Sequence, residues 1–199
     1  MRQNQVFTPR RPRIIVPIFL LAAAILAFYM SYIQFYKAAY PLGFKEAVMN
    51  YSALYDVPPG LIFAVIHTES GFRPYAESRA DVRGLVARGL MQIQEPTFDW
   101  ARMRHGKTDD VVYDDLFDPT INIEYGAALL RLLLDDFNTV PNALSAYHAG
   151  WGSAASWLAN PEFAPDGENI TNIPFRDTRW YVYRVLETWE IYRRLYQID

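Results

Sequence analysis

The amino-acid sequence predicts a mainly α-helical domain preceded by a single membrane-spanning helix. Three observations carry that prediction: a long apolar run near the N-terminus, apolar residues recurring at helical spacing through most of the remainder, and little strand-like alternation.

From Ile14 to Met30 there is no charged or strongly polar residue, and apolar character continues through Tyr32, Ile33, Phe35 and Tyr36 until Lys37. At about 1.5 Å per residue, such a helix is long enough to cross a bilayer. A cleaved signal peptide has a shorter apolar region with small residues directly after it, whereas here Ala22, Ala23 and Ala24 sit mid-run and the end is aromatic. Tyr29, Tyr32, Phe35 and Tyr36 fit an interfacial belt. Arg2, Arg10, Arg11 and Arg13 on the other flank are expected to stay cytoplasmic. The expected organisation is a basic cytoplasmic tail over 1–13, a transmembrane anchor over 14–36 and an extracytoplasmic domain over 37–199.

Beyond the span, Phe44, Val48, Tyr51 and Leu54 predict a short amphipathic helix ending near Asp56. Pro58, Pro59 and Gly60 open a second helix, and the run Leu61 to Ile66 is apolar all round, as in a core helix. Residues 71–88 lack a clean period and read as a loop followed by a short helix. Further helical patterns cover 122–137, 145–158 and 181–196, while Pro161, Pro165 and Gly167 mark 160–172 as a loop.

Composition excludes several functions. The whole chain carries a net charge of −3, yet the first thirteen residues hold four arginines and no acid, so the remainder carries −7. That disfavours a nucleic-acid partner, which calls for a basic face. There is no cysteine, and His67, His105 and His148 show no helical zinc spacing, so neither metal nor other cofactor is expected.

The core helix ends in His67-Thr68-Glu69-Ser70-Gly71. A carboxyl at the end of an apolar helix is poorly solvated and close to the negative helix terminus, and both effects favour the protonated form that a general acid needs. Met91-Gln92-Ile93, Ala146-Tyr147-His148-Ala149-Gly150 and Arg179-Trp180-Tyr181-Val182 each set polar side chains in apolar surroundings, where an unpaired group is costly. Such groups converging beside a carboxyl suit a sugar site.

With those motifs in order, the stretch from about Tyr51 to Tyr196 resembles the bacterial lytic transglycosylases of the soluble-lytic-transglycosylase type, related to goose-type lysozyme. The resemblance rests on Glu69-Ser70 with Phe72 and Pro74, on Gly89-Leu90-Met91-Gln92-Ile93, on Ala146 to Gly150, and on Ile173-Pro174 followed by Thr178-Arg179 and Tyr181-Val182. It implies a lysozyme-like fold and cleavage of peptidoglycan glycan strands between N-acetylmuramic acid and N-acetylglucosamine, leaving a 1,6-anhydro end. One glutamate acts as acid and then base, and on this chain it maps to Glu69. By the same resemblance Ser70 and Ser78 would orient the muramyl group, Met91 and Gln92 would line the cleft, and Tyr147 and Tyr181 would lie near the carboxyl and the sugar. The implied setting is the bacterial cell membrane.

Two departures stand out. Relatives mostly carry asparagine where this chain has His148, which exchanges a pH-independent amide for an imidazole and implies a pH-dependent contact with substrate. The chain also repeats Arg-Gly-Leu at 83–85 and 88–90. In the usual pattern the motif serine and glycine are six residues apart, which fits Ser78 to Gly84, but only Gly89-Leu90 is followed by Met91 and Gln92. A five-residue insertion between Ser78 and Gly89 reconciles the two, since surface loops tolerate additions. Glu77 and Asp81 are nearby acids, and either one facing Glu69 would favour hydrolysis over anhydro-ring formation. A hydrolytic muramidase, or a weakly active glycan-binding or scaffold subunit of a wall assembly, are the competing expectations.

Overall fold

The computed structural model describes residues 15–107 and 110–199, so the basic tail expected over 1–13 lies outside the described residues. The chain divides between Pro41 and Leu42 into two compact units.

The first unit contains helix α1, Ile15–Ala39. Within it Val16–Ala39 is long and apolar enough to cross a membrane, and none of it is buried. Tyr32 and Tyr36 pack with ring centroids 4.6 Å apart, and Tyr36 stacks on Tyr40 at 6.0 Å. The helix continues past the expected boundary at Tyr36, because Lys37, Ala38 and Ala39 are good helix formers.

The second unit is mostly helical. Helix α2, Lys45–Tyr55, precedes α3, Pro59–Ser70, whose residues Leu61 through Ile66 are all buried. Helix α3 packs along α8, Arg176–Tyr196, where Phe63 stacks on Tyr192 at 5.4 Å. Helix α5, Pro119–Phe137, is capped by Asp118, which accepts from the backbone N–H groups of Thr120 and Ile121. It packs against α2, against α4, Glu95–His105, and against α6, Val140–Ala149. A short 3-10 helix, Tyr113–Phe117, leads into α5.

Three sequence expectations are corrected. The pattern over 145–158 is two helices, α6 and α7, Trp151–Leu158, because Gly150 adopts φ 88° and ψ 149°, which no helix contains. Helix α6 starts earlier than expected because Thr139 caps it and Pro141 suits a first turn. No helix forms in 71–88. Instead the Ser78 N–H donates to the Ala87 carbonyl (3.0 Å) and the Gly89 N–H to the Ala76 carbonyl (2.9 Å), leaving 79–86 as a hairpin loop. Strand β1, Ala87–Arg88, then pairs antiparallel with β2, Ile93–Gln94.

The loop after α7 is as expected, and the buried Asn142 of α6 holds it down. Its amide donates to the Glu168 carbonyl (2.8 Å) and accepts from the Ile170 N–H (3.0 Å).

Candidate active site

Helix α3 ends at Gly71, whose left-handed conformation (φ 59°) lets its N–H close on the His67 carbonyl. This leaves Glu69 in the last turn of a core helix, half-buried, where two grooves meet. A groove of about 460 Å³ holds Glu69 with Thr68, His148, Trp180 and Tyr181. The other, about 690 Å³, holds it with Arg73, Tyr75, Glu77, Ser78 and Gln92. Burial pushes the Glu69 carboxyl up to about 7, against the pull of the nearby Tyr181 hydroxyl, which favours the charged form.

Two tyrosines flank it. Tyr147 and Tyr181 lie parallel, their ring centroids 6.4 Å apart and their planes within 7°. The Tyr147 hydroxyl donates to the Met91 carbonyl at 2.6 Å, while the Tyr181 hydroxyl is buried with no hydrogen bond of full geometry. Burial and the neighbouring Glu69 charge push both phenols well above their ordinary value, so both remain proton donors. His148, the penultimate residue of α6, packs its ring 4.6 Å from that of Tyr181 and brings Nδ1 to 3.0 Å from Thr178 Oγ1. Burial lowers its pKa while Asp177 opposes the shift, and the net direction favours the neutral imidazole.

The turn between β1 and β2 carries Gln92, in a left-handed conformation at φ 48°. Its amide donates to the carbonyls of Gly89 (2.8 Å) and Ala76 (3.0 Å), which ties the turn to the loop after α3. Behind the turn, Asn122 of α5 is fully buried. It accepts from the Met91 N–H at 2.8 Å and donates to the carbonyls of Arg88 and Leu116. Gly89 meets it so closely (φ 77°) that an added Cβ would stand 2.1 Å from Asn122 Nδ2. Gly84, at φ 81°, has nothing within 4 Å of such a Cβ. The second Arg-Gly-Leu is thus packed into the site's floor, and the first sits in an open turn.

Other expected residues are placed differently. Ser70 is 2% exposed and its hydroxyl donates back to the Ile66 carbonyl, so it lines neither groove. Met91 is fully buried, its sulfur pressed against Gly126, and it forms wall rather than cleft surface. Ser78 lies in the second groove, but its hydroxyl accepts from the Ala87 N–H (2.8 Å) and donates to the Arg79 carbonyl (3.0 Å), which commits it to the hairpin base. Asp81 is held in its own turn by Arg83 and the Leu85 N–H, with its carboxyl lowered to about 2, and it lines neither groove. Glu77 reaches the second groove but pairs with Arg88 at 3.1 Å. Among the described residues no group of three or more His, Cys, Asp or Glu side chains is placed to hold a metal ion.

Sequence reasoning missed Thr68, Arg73, Arg176 and Trp180, all of which line a groove with Glu69. The buried, unpartnered Thr68 hydroxyl has a signal in its place beside Glu69, whereas surface residues such as Arg176 and Trp180 leave none in periodicity.

The model of the transglycosylase SLT domain family matches residues 46–170, a stretch that ends before α8. A membrane-bound lytic murein transglycosylase C from Shigella sonnei is 32% identical over 170 residues, covering 74% of this chain and 45% of the relative. The lytic transglycosylase Slt from Pseudomonas aeruginosa, solved as an inactive mutant, is 30% identical with a TM-score of 0.66 over 78% of this chain and 24% of that one. The 70 kDa soluble lytic transglycosylase from Escherichia coli is 27% identical with a TM-score of 0.69, over 80% and 25%. A 70-kDa soluble lytic transglycosylase in complex with bulgecin A gives a TM-score of 0.70 at 27% identity. The chain therefore spans about half the length of the curated relative and a quarter of the solved ones.

Proposed function

The chain belongs to the transglycosylase SLT domain family, and from that premise we propose that it is a membrane-anchored lytic murein transglycosylase acting on the glycan strands of peptidoglycan. Helix α1 is the anchor, the N-terminus is cytoplasmic and the helical domain lies outside. Glu69 is the single acid/base. It protonates the oxygen linking C1 of the muramyl sugar to the neighbouring glucosamine, and that C1–O bond breaks. The muramyl C6 hydroxyl then closes on C1, and the Glu69 carboxylate takes the hydroxyl proton. No water is consumed, the carboxyl is restored, and the new end is a 1,6-anhydro sugar.

The observation that carries this reading is a carboxyl raised to about 7 where two grooves meet beside Tyr181. A group poised near neutral pH can both give and accept a proton. A hydrolytic route with a second carboxylate needs one free to activate water or attack the sugar. Asp81 is locked in its own turn and Glu77 is neutralised by Arg88. Asp177, by contrast, shares a groove with Glu69 and makes no ion pair among the described residues, so Asp177→Asn belongs beside Glu69→Gln in the test. Tyr147, Tyr181, Gln92 and His148 are the substrate contacts of this proposal. Met91, Ser70 and Ser78 shape the walls and the turn that carry those contacts.

The test is release of soluble fragments from purified peptidoglycan by the full chain in detergent, beside Glu69→Gln, with product masses recorded. The expected result is anhydro-ended fragments, one water lighter than hydrolysed ones, and a loss of at least about 100-fold in the variant. Equal release by both proteins would remove Glu69 from the chemistry. Hydrated ends from the wild type would make the enzyme a muramidase.

A further inference from the structure

Arg176 has no partner that explains its place. It is the first residue of α8, is exposed, and makes no hydrogen bond or ion pair among the described residues. A cation in a first helical turn faces the positive end of the helix dipole, which is unfavourable. Asp177 beside it complements the dipole; Arg176 does not.

What Arg176 does have is position. It lines the groove that contains Glu69, and it also lines the adjoining recess of about 570 Å³ with His148, Pro174 and Thr178. Trp180 follows one turn later on the same helix face, 56% exposed, with the Arg184 guanidinium 4.8 Å from its ring centroid. The charged or titratable side chains of this groove are Glu69, His148, Asp177, Tyr181 and Arg176, so Arg176 is its one permanent cation. In the second groove beside Glu69 the cation is Arg73, which donates to the Ser70 carbonyl. The sugar backbone of a glycan strand is uncharged, and the anionic groups of such a polymer belong to its peptide substituents.

We propose that Arg176 recognises a carboxylate of the peptide attached to the strand beside the cleaved bond, with Trp180 as the apolar face against which that substituent lies. The first turn of α8 would then be what distinguishes peptide-bearing glycan from bare glycan. A guanidinium presents a planar fork that matches a carboxylate. Asp177 repels an anion elsewhere in the groove and so fixes the point of attachment. The inference rests on the glycan-cleaving reading above.

The test compares two substrates with the full chain in detergent: glycan strands carrying their peptides, and bare strands, stripped by an amidase and with the lactyl carboxylates that the amidase exposes capped as methylamides. Wild type is expected to show a lower KM on the peptide-bearing strands. Arg176→Gln should raise that KM about five- to tenfold with kcat within about twofold, leave bare strands unaffected, and be partly rescued by Arg176→Lys. The activity on bare strands is the control for folding. A change that is equal on both substrates, or absent on both, overturns the role of Arg176 while leaving the enzymatic reading intact. A wild type that cleaves neither substrate overturns the glycan-cleaving reading and this inference with it.

Discussion

In the proposed reaction the Glu69 carboxyl gives a proton and then takes one back, which calls for a group near neutrality at the working pH, and burial raises this carboxyl to about 7. The same shift has a thermodynamic consequence. Burial penalises the charged form, so folding favours the protonated carboxyl. Its stabilising contribution is fully present below the ordinary value of 4.5 and is lost as pH rises through about 7. The amount at stake is roughly 3 kcal/mol. Glu69→Gln removes the ionisation, so the variant should melt several degrees above wild type at pH 8 and within a degree or two of it at pH 5. Wild-type cleavage should fall about tenfold per unit above pH 7, as the acid loses its proton. A melting difference independent of pH would mean that another group titrates there. That Glu69, Gln92, Tyr147, His148 and Tyr181 lie close together was legible in the sequence because each is a polar group in an apolar run, while their roles belong to the proposal. Ser70 and Ser78 were misread because a serine's partner is a matter of backbone geometry: one hydroxyl turns back onto Ile66 and the other closes a hairpin.

Among the elements, the long helices were legible because a buried stripe writes an apolar period into α5 and α8. The irregular parts were not. Helix α4 buries only Phe98 and Ala101 and so shows no stripe, and the pairing of 76–78 with 87–89 depends on partners nine or more residues apart. That pairing also resolves the doubled Arg-Gly-Leu. Gly89 touches Asn122 and the Leu116 carbonyl, so Gly89→Ala should cost more than about 3 kcal/mol, combining a backbone clash with a disfavoured φ. Gly84→Ala meets open space and should cost only about 1 kcal/mol for its positive φ. Deleting residues 82–86 leaves a short hairpin and removes the bond from the Tyr113 hydroxyl to the Val86 carbonyl, for at most about 2 kcal/mol. Denaturant unfolding of the three variants checks the order. If Gly84→Ala or the deletion is the most damaging, the first copy holds the structural role.

At the scale of the whole molecule, what matters is a division of charge and hydrophobicity. Helix α1 exposes Phe19, Phe28 and Phe35, each at least 70%, along a helix that at about 1.5 Å per residue exceeds the roughly 30 Å hydrocarbon core. So much unburied apolar surface is not stable in water, and a bilayer is what would cover it. In the proposed topology the four N-terminal arginines would orient the span, by the preference of basic residues for the cytoplasmic side. The long apolar helix was the most legible feature of the sequence, because it is encoded locally and needs no distant partner. The absence of cysteine makes its topology directly measurable. Val82 stands fully exposed at the hairpin tip, so a Val82→Cys chain should be labelled by a membrane-impermeant maleimide on intact spheroplasts. A Gln3→Cys chain should be labelled only after lysis, and both should stay with the membrane through carbonate washing. Labelling in the opposite order would invert the topology. Release by carbonate would mean that α1 is covered by something other than lipid, since an integral span leaves the bilayer only when detergent replaces it.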